Sequence, residues 1–409
     1  MDEALKDKYD IILVGDYAPS SFSVSIDLPR TKWLAINLEG PVSEHAECRA
    51  IAKAGPHLMN RSLPKVDCKV IYSVANNHFM DFGQAAAQES IRRIEDVGDQ
   101  VVGYGQDAIQ ARRPLVVTLG TRKVAFVAFA EKQFGVASHM QPGVASFSHQ
   151  LLMDITRLRR NVDLLIVSVD GGLEDYPLPS MNQVDLYRGL VSAGADVVWG
   201  HHPHVTQPVE LWEHGLIAYG LGNFAVPCMD WNMTANALWS LGIGITIAPD
   251  DELYVRLIPL TVASDGVGIK VKIASAQCAS GIQERMDLLS KILDNQDLYL
   301  SLWHEISMNA FAEYGSRFLG WARWSILIAV KRRIRVVVNR VKSLLGRKCS
   351  SGFDARREEY SLRYHMFSCE SHRAMSETAL GIMSGEIQDL RTAESSRVLR
   401  EVRKPIVSC

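Results

Sequence analysis

The chain has 409 residues, 47% hydrophobic and 22% charged, with a formal net charge of −2. Those numbers describe an ordinary globular protein, long enough for one large domain with an appendage or for two domains. The N-terminus has no apolar signal core, and no run of about 18 apolar residues is free of charge, so neither a secretory signal nor a transmembrane helix is expected. Seven scattered cysteines resemble neither a disulfide framework nor a CxxC metal site, and read as the reduced thiols of a cytoplasmic protein.

In chain order, residues 9–14 form a short apolar run ending in Gly15-Asp16, and residues 33–38 form a second that runs out in Asn37-Leu38-Glu39-Gly40. Residues 69–74 predict a third strand, followed by Ala75-Asn76-Asn77-His78, then Asp81 and Gly83. An amphipathic helix is expected over 84–97, with Ile91 and Ile94 on one face and Asp81 as its N-terminal cap. Residues 115–118 and 124–130 flank Gly120-Thr121-Arg122 and predict a hairpin. Residues 163–169 predict a buried strand ending in Asp170-Gly171-Gly172-Leu173-Glu174. A helix over 181–193 then closes at Gly194 and leads to Val197-Val198-Trp199-Gly200-His201-His202-Pro203-His204. After it, residues 216–219 end in Gly220-Leu221-Gly222-Asn223, and runs near 238–247, 253–260 and 268–273 predict antiparallel strands.

Asp16, Glu39, Asn77-His78, Asp170 and His202-Pro203-His204 all fall at strand ends, where layered α/β proteins place their sites. Carboxylate, amide and imidazole together suit one or two borderline divalent ions, manganese, zinc or iron, better than calcium. Such ions polarise phosphoryl oxygens and lower the pKa of water.

The order and spacing of Gly15-Asp16, Asn37-Leu38-Glu39, Asn76-Asn77-His78-x-x-Asp81-x-Gly83, His201-His202-Pro203-His204 and Gly222-Asn223-Phe224 resemble the CapA family of poly-γ-glutamate capsule biosynthesis, itself similar to calcineurin-like metallophosphatases. The resemblance implies a four-layered α/β/β/α sandwich. It also implies metal ligation by Asp16, Glu39, Asn77, His202 and His204, to which the strand-end Asp170 adds a further candidate ligand, and protonation of a leaving oxygen by His78. It leaves Asn37, Asn76, Glu174, His201 and Asn223 to orient those ligands or face substrate. Two positions depart from the pattern. Asp170-Gly171 stands where the family usually has His-Trp, and Ala18 takes the place of the phosphatases' first-motif histidine. The implied activity is phosphoester hydrolysis in capsule or exopolymer synthesis. The alternative is an assembly factor that keeps the fold without turnover.

The division expected is a metallophosphatase-like domain over 1–280 and a helical, basic extension over 281–409. Helical periodicity is seen over 286–300 and 299–311. In segment 317–348, which opens on Arg317 and closes on Lys348, every ionisable side chain is basic, with Trp321 and Trp324 among them. That pattern suits an anionic membrane surface, here the inner face of the cytoplasmic membrane, or an anionic polymer; nucleic acid is the weaker partner. Residues 356–409, polar and short of large apolar side chains, are expected to be mobile or dependent on a partner.

Overall fold

The computed structural model describes residues 8–44, 53, 56–148, 150–228, 231, 233–247, 252–315 and 352–406. Two sheets carry the fold. In the first, β1 (Lys8–Tyr17), β3 (Arg30–Leu38), β4 (Lys69–Ser73) and β5 (Gln100–Val102) are parallel neighbours. On its other side β1 meets β15 (Trp239–Ile247), and the antiparallel run continues through β16 (Leu253–Ser264) and β17 (Gly268–Ile273). β2 (Ser23–Asp27) closes that edge, and the short β14 (Asn223–Ala225) pairs with the end of β1.

The second sheet runs β12 (Val209–Trp212), β13 (Gly215–Ala218), β11 (Val197–His201), β10 (Leu164–Asp170), β8 (Arg122–Ala130) and β7 (Leu115–Leu119). Its four central strands are parallel, and β7 and β8 form the expected hairpin. β6 (Tyr104–Gly105) and β9 (Gly143–Val144) make a small separate ladder.

Continuous apolar runs mark the central strands because both of their faces are covered. β10, Leu-Leu-Ile-Val-Ser-Val-Asp, is buried at every residue. The sheets face each other across a core that includes Trp199, whose indole Nε1 donates to Val14 O across the interface at 2.9 Å. The Ser73 and Ser168 hydroxyls meet there at 2.7 Å, so each satisfies the other. α1 (Gly83–Asp96) packs on β5 of the first sheet. The one-turn α2 (Ala108–Ala111) lies against β6 and β9, and α3 (Leu151–Arg159) lies beside α4 (Met181–Ser192), which covers β11 and β13. α4 starts with a Ser180/Gln183 capping box, which pairs two backbone N–H groups that the first turn leaves free. The architecture is the α/β/β/α sandwich.

Close backbone approach at the strand ends demands glycine. A Cβ on Gly200 would lie 2.1 Å from Tyr219 O, and one on Gly15 would lie 1.7 Å from Gly222 O. Gly200→Ala should therefore push β11 from the strand beside it and destabilise the chain by about 1–3 kcal/mol, read as a lower urea midpoint. An unchanged midpoint would contradict this packing.

The C-terminal third differs from expectation in two ways. α5 (Ala276–Asp294) and α6 (Gln296–Ala310) replace the helices expected over 286–311, ending in a π-turn at Phe311–Gly315. Over residues 352–406 the tail is largely helical: α7 (Gly352–Ser368), α8 (Glu370–Ser384) and α9 (Ala393–Val402) fold back, with α8 and α9 on α6. Beside Leu399 and Val402, their buried faces are made of Met366, Cys369, Ala374, Met375 and Ala379, small or flexible side chains that a search for large apolar residues overlooks. Polar contacts complete the docking, among them Trp303 Nε1 to Thr378 Oγ1 at 3.1 Å and Ser395 Oγ to Glu305 Oε1 at 3.2 Å. The basic segment 317–348 lies outside the described residues. Cys68, Cys228 and Cys369 are free thiols, whereas Cys278 is disulfide-bonded, against the reading of seven reduced cysteines. Among the described residues no helix is long and apolar enough to cross a membrane.

Candidate metal centre

The carboxyl ends of the parallel strands of both sheets meet at one edge. On β1, Asp16 lies in register with Asn37 of β3 and with Asn223 of β14, while Asp170 of β10 lies beside His201 of β11. Two buried groups of side chains result. Asp16, Glu39 and His204 form the first, each offering an atom within 4.8 Å of the others. His204 Nδ1 lies 3.3 Å from Asp16 Oδ2 and its Nε2 lies 3.5 Å from Glu39 Oε1. Asp170 and His202 form the second, with His202 Nδ1 3.6 Å from Asp170 Oδ1. Asn37 Nδ2 joins the groups by donating to Asp16 Oδ1 at 2.8 Å and to Asp170 Oδ2 at 3.4 Å.

The surrounding residues hold these groups in place. Asn76 Nδ2 donates to Asn37 Oδ1 at 3.1 Å, and Asn76 Oδ1 accepts from the backbone of His78 and Phe79. Asn223 Oδ1 lies 3.0 Å from His204 Nδ1. His201, fully buried, sits edge-on to Trp199, with Nδ1 3.7 Å from Asp16 Oδ1. Glu174 is solvent-exposed at the rim, near enough to bias His204 and Lys53 electrostatically. His202 and His204 have φ of +91° and +58°, a region that β-carbon crowding makes rare for residues other than glycine. Holding two such residues costs on the order of 1–3 kcal/mol each, a pattern that concentrates at working sites.

His78 stands next to the first group, its Nε2 3.7 Å from Glu39 Oε1. On the other side of the ring, Nδ1 lies 2.8 Å from Asp81 Oδ2 and 2.9 Å from Lys53 Nζ. When Nδ1 carries the ring proton it donates to Asp81; when Lys53 donates to Nδ1, the proton sits on Nε2 and faces the site. Lys53 is buried, pairs with Asp81 Oδ1 and also donates to Asn77 O at 3.3 Å. Neither Lys53 nor the Asp81 contact was foreseen. Asp81 does not cap α1, whose N-cap is Phe82 without a side-chain hydrogen bond; it turns inward to Lys53, His78 and the Leu58 N–H.

The electrostatics are those of carboxylates crowded away from water. Burial raises Glu39 to about 8 and lifts Asp170 well above the usual carboxylate range, with neighbouring Asp16 adding to both. Asp16 is also buried, yet His204 and His201 bring it below its ordinary value. His204, although buried, is held well above the usual imidazole value by Glu39 and Asp16. Burial and then Lys53 lower His78 to about 4.

The donors fit a cation. Asp16 Oδ2, both Glu39 carboxylate oxygens, Asn77 Oδ1, Asp170 Oδ1 and His202 Nδ1 are buried without hydrogen bonds among the described residues. Buried polar atoms normally find partners, and this mixture of oxygens and imidazole nitrogens is the donor set of a borderline divalent ion.

A family model, bacterial capsule synthesis protein PGA_cap, matches residues 6–227. The chain belongs to this family. The matched region contains every strand end of the PGA_cap site, from Asp16 to Asn223, and stops before β15. The chain is 29% identical over 174 residues to a capsule biosynthesis protein CapA of Bacillus anthracis, covering 41% of this chain and 42% of the relative. It is 28% identical over 218 residues to a PGA biosynthesis protein CapA of Bacillus subtilis, covering 50% of this chain and 56% of the relative. The matches thus span about half the length of these curated relatives. A 5'-nucleotidase from Candida albicans gives a TM-score of 0.33 at 9% identity over 61% of this chain and 52% of that one, a likeness too low to carry an argument.

Proposed function

We propose that this PGA_cap protein is a metal-dependent phosphoesterase of capsule, poly-γ-glutamate or related exopolymer synthesis. The observation that supports the reading is the set of unsatisfied buried atoms on Asp16, Glu39, Asn77, Asp170 and His202, with His204 converging on Asp16 and Glu39 and His78 beside them able to carry a proton. Asp16, Glu39, Asn77 and His204 would hold a first ion, and Asp170 and His202 a second. Bound there, a divalent ion supplies a polarised phosphoryl oxygen and a water of lowered pKa. Asn37 holds the carboxylates of the two groups apart, and Asn76 fixes Asn37 and the turn that presents His78. His78 delivers a proton from Nε2 to the leaving oxygen, and Asp81 stabilises its charged ring through Nδ1. Segment 317–348 would meet an anionic membrane surface or polymer, a reading that rests on sequence alone.

A second reading is a non-enzymatic assembly factor, favoured by Asp170 in place of the usual histidine. An added carboxylate makes the site more negative and repels an anionic substrate. Metal content and phosphoesterase turnover of the purified full chain separate the two, with Asp16→Asn as the variant. The hydrolase reading expects metal at the sheet edge and turnover in the wild type, both sharply reduced in Asp16→Asn. Metal retained by the wild type without turnover on monoesters, diesters or phosphorylated polymer would sink it in favour of the assembly factor.

A further inference from the structure

A second cluster with metal-ligand chemistry lies outside this site, where the C-terminal helices meet the loop after β8. His365 is in the last turn of α7, Cys369 is the N-cap residue of α8, and His372 is in its first turn. The spacing, His-x-x-x-Cys-x-x-His, would place three residues on one face of a continuous helix. The break at Cys369 turns the thiol and both imidazoles toward one point, with one ligand atom from each within 4.8 Å of the others. Bonds of roughly 2.0–2.3 Å to nitrogen and sulfur give ligand separations within that span.

All three side chains are buried: Cys369 is 0% exposed, His372 8% and His365 9%. Cys369 Sγ lies 3.1 Å from His372 Nδ1 and donates to Glu131 Oε2 at 3.0 Å. The Glu131 carboxylate, itself 1% exposed, also accepts from Ser371 N at 3.1 Å and from the Ser371 hydroxyl. His365 stacks on Phe134 with ring centroids 4.9 Å apart and meets His372 edge-on at 4.4 Å. Its Nδ1 is buried without a hydrogen bond among the described residues. A satisfied Cys-Glu-Ser network accounts for Cys369 and Glu131; it does not account for an imidazole nitrogen buried beside a thiol and left unpaired.

We propose that His365, Cys369 and His372 bind a thiophilic divalent ion of the zinc type, with Glu131 beside the sulfur ligand. On binding, the Cys369 thiol proton leaves to solvent and a metal–sulfur bond takes its place, with no change of oxidation state. Glu131 keeps its Ser371 bonds and orients the ligand turn from outside the ligand set. The ion ties α7 to α8, and the Glu131–Ser371 bonds tie that turn to the loop that borders the sheet-edge site, where Glu131 N donates to Asp170 O at 2.8 Å and Gln133 Nε2 lies 3.5 Å from His202 Nε2. Its role is that of a structural staple, and it does not depend on whether the sheet-edge site turns over substrate.

The test is a cobalt titration of the chelator-stripped full chain. A thiolate ligand gives cobalt(II) an intense near-ultraviolet charge-transfer band, which the oxygen and imidazole donors of the sheet edge cannot produce. The band should appear in the wild type, saturate at one equivalent and be displaced by zinc. It should be lost in Cys369→Ser and kept in Asp16→Asn and in Cys228→Ser, a thiol that accepts from Asn223 Nδ2 at the sheet edge. His365→Gln retains the thiol, so it guards against a folding defect in Cys369→Ser; it should keep the band with at least tenfold weaker binding. No band in the wild type, or a band that survives in Cys369→Ser, overturns the site. Loss of the band in Asp16→Asn instead would assign the signal to the sheet edge and overturn it equally.

Discussion

Lys53→Met should destabilise the protein by about 3–5 kcal/mol, among the largest costs expected of any single change outside the core. The side chains of Lys53 and Asp81 are 1% and 0% exposed, so neither charge has water to fall back on. The ammonium has three N–H groups and three acceptors: Asp81 Oδ1, Asn77 O and His78 Nδ1. Methionine fills a similar volume but leaves the buried Asp81 carboxyl without its cation, with the Leu58 N–H and the His78 ring as its remaining partners among the described residues. The measurement is the urea midpoint, converted with an unchanged m-value. The double variant Lys53→Met/Asp81→Leu should recover a large part of the loss, because an apolar pair needs no compensating charge. A single variant as stable as the wild type would show that Lys53 is not the partner of Asp81. The same substitution acts on the site, since Lys53 is the second cause, after burial, of the low His78 value.

Lys53 also shows where reading the chain residue by residue stops. Asp16, Glu39, Asn77, Asp170 and the His202-Pro203-His204 turn were legible because each follows an apolar run, and parallel strands point their carboxyl ends the same way. Topology then does the assembling: the register Asp16–Asn37–Asn223 follows from the pairing of β1 with β3 and β14. Lys53 follows no strand and belongs to no motif; only packing brings it under His78. Asp81 misled for a related reason. An aspartate two residues before a helix normally serves the helix, but here a buried cation offers it a stronger partner. Glu131 carried the same signal as the others, an acid directly after the apolar run of β8, and was passed over. The C-terminal helices were missed because their contacts with α6 use alanine, methionine, serine and cysteine, which look like solvent-facing composition until the partner face is known. The histidines of α7 and α8 were hidden with them.

His78→Ala should lower turnover by about 10²–10⁴-fold and leave the metal content of the sheet edge unchanged. The two halves of that expectation have separate grounds. Asp16, Glu39 and His204 converge without His78, so removing the ring takes away no atom of that group. The proton, by contrast, reaches that side of the site through the ring, because Lys53 and Asp81 lie behind Nδ1, on the far side of the ring from Glu39. The pH profile sharpens the test. A general acid must be protonated, so activity falls as pH rises through its pKa. In the substrate-free chain burial and Lys53 hold His78 to about 4, and this value governs kcat/KM. An anionic phosphoester bound against the ring favours the imidazolium, so the alkaline limb of kcat should lie at higher pH than that of kcat/KM. Both limbs should vanish in His78→Ala, and the residual rate should become flat over the same range. Turnover within a few-fold of wild type, or a limb that persists without the imidazole, would remove His78 from the proton-transfer step and leave the metal ligands as the chemistry of this edge.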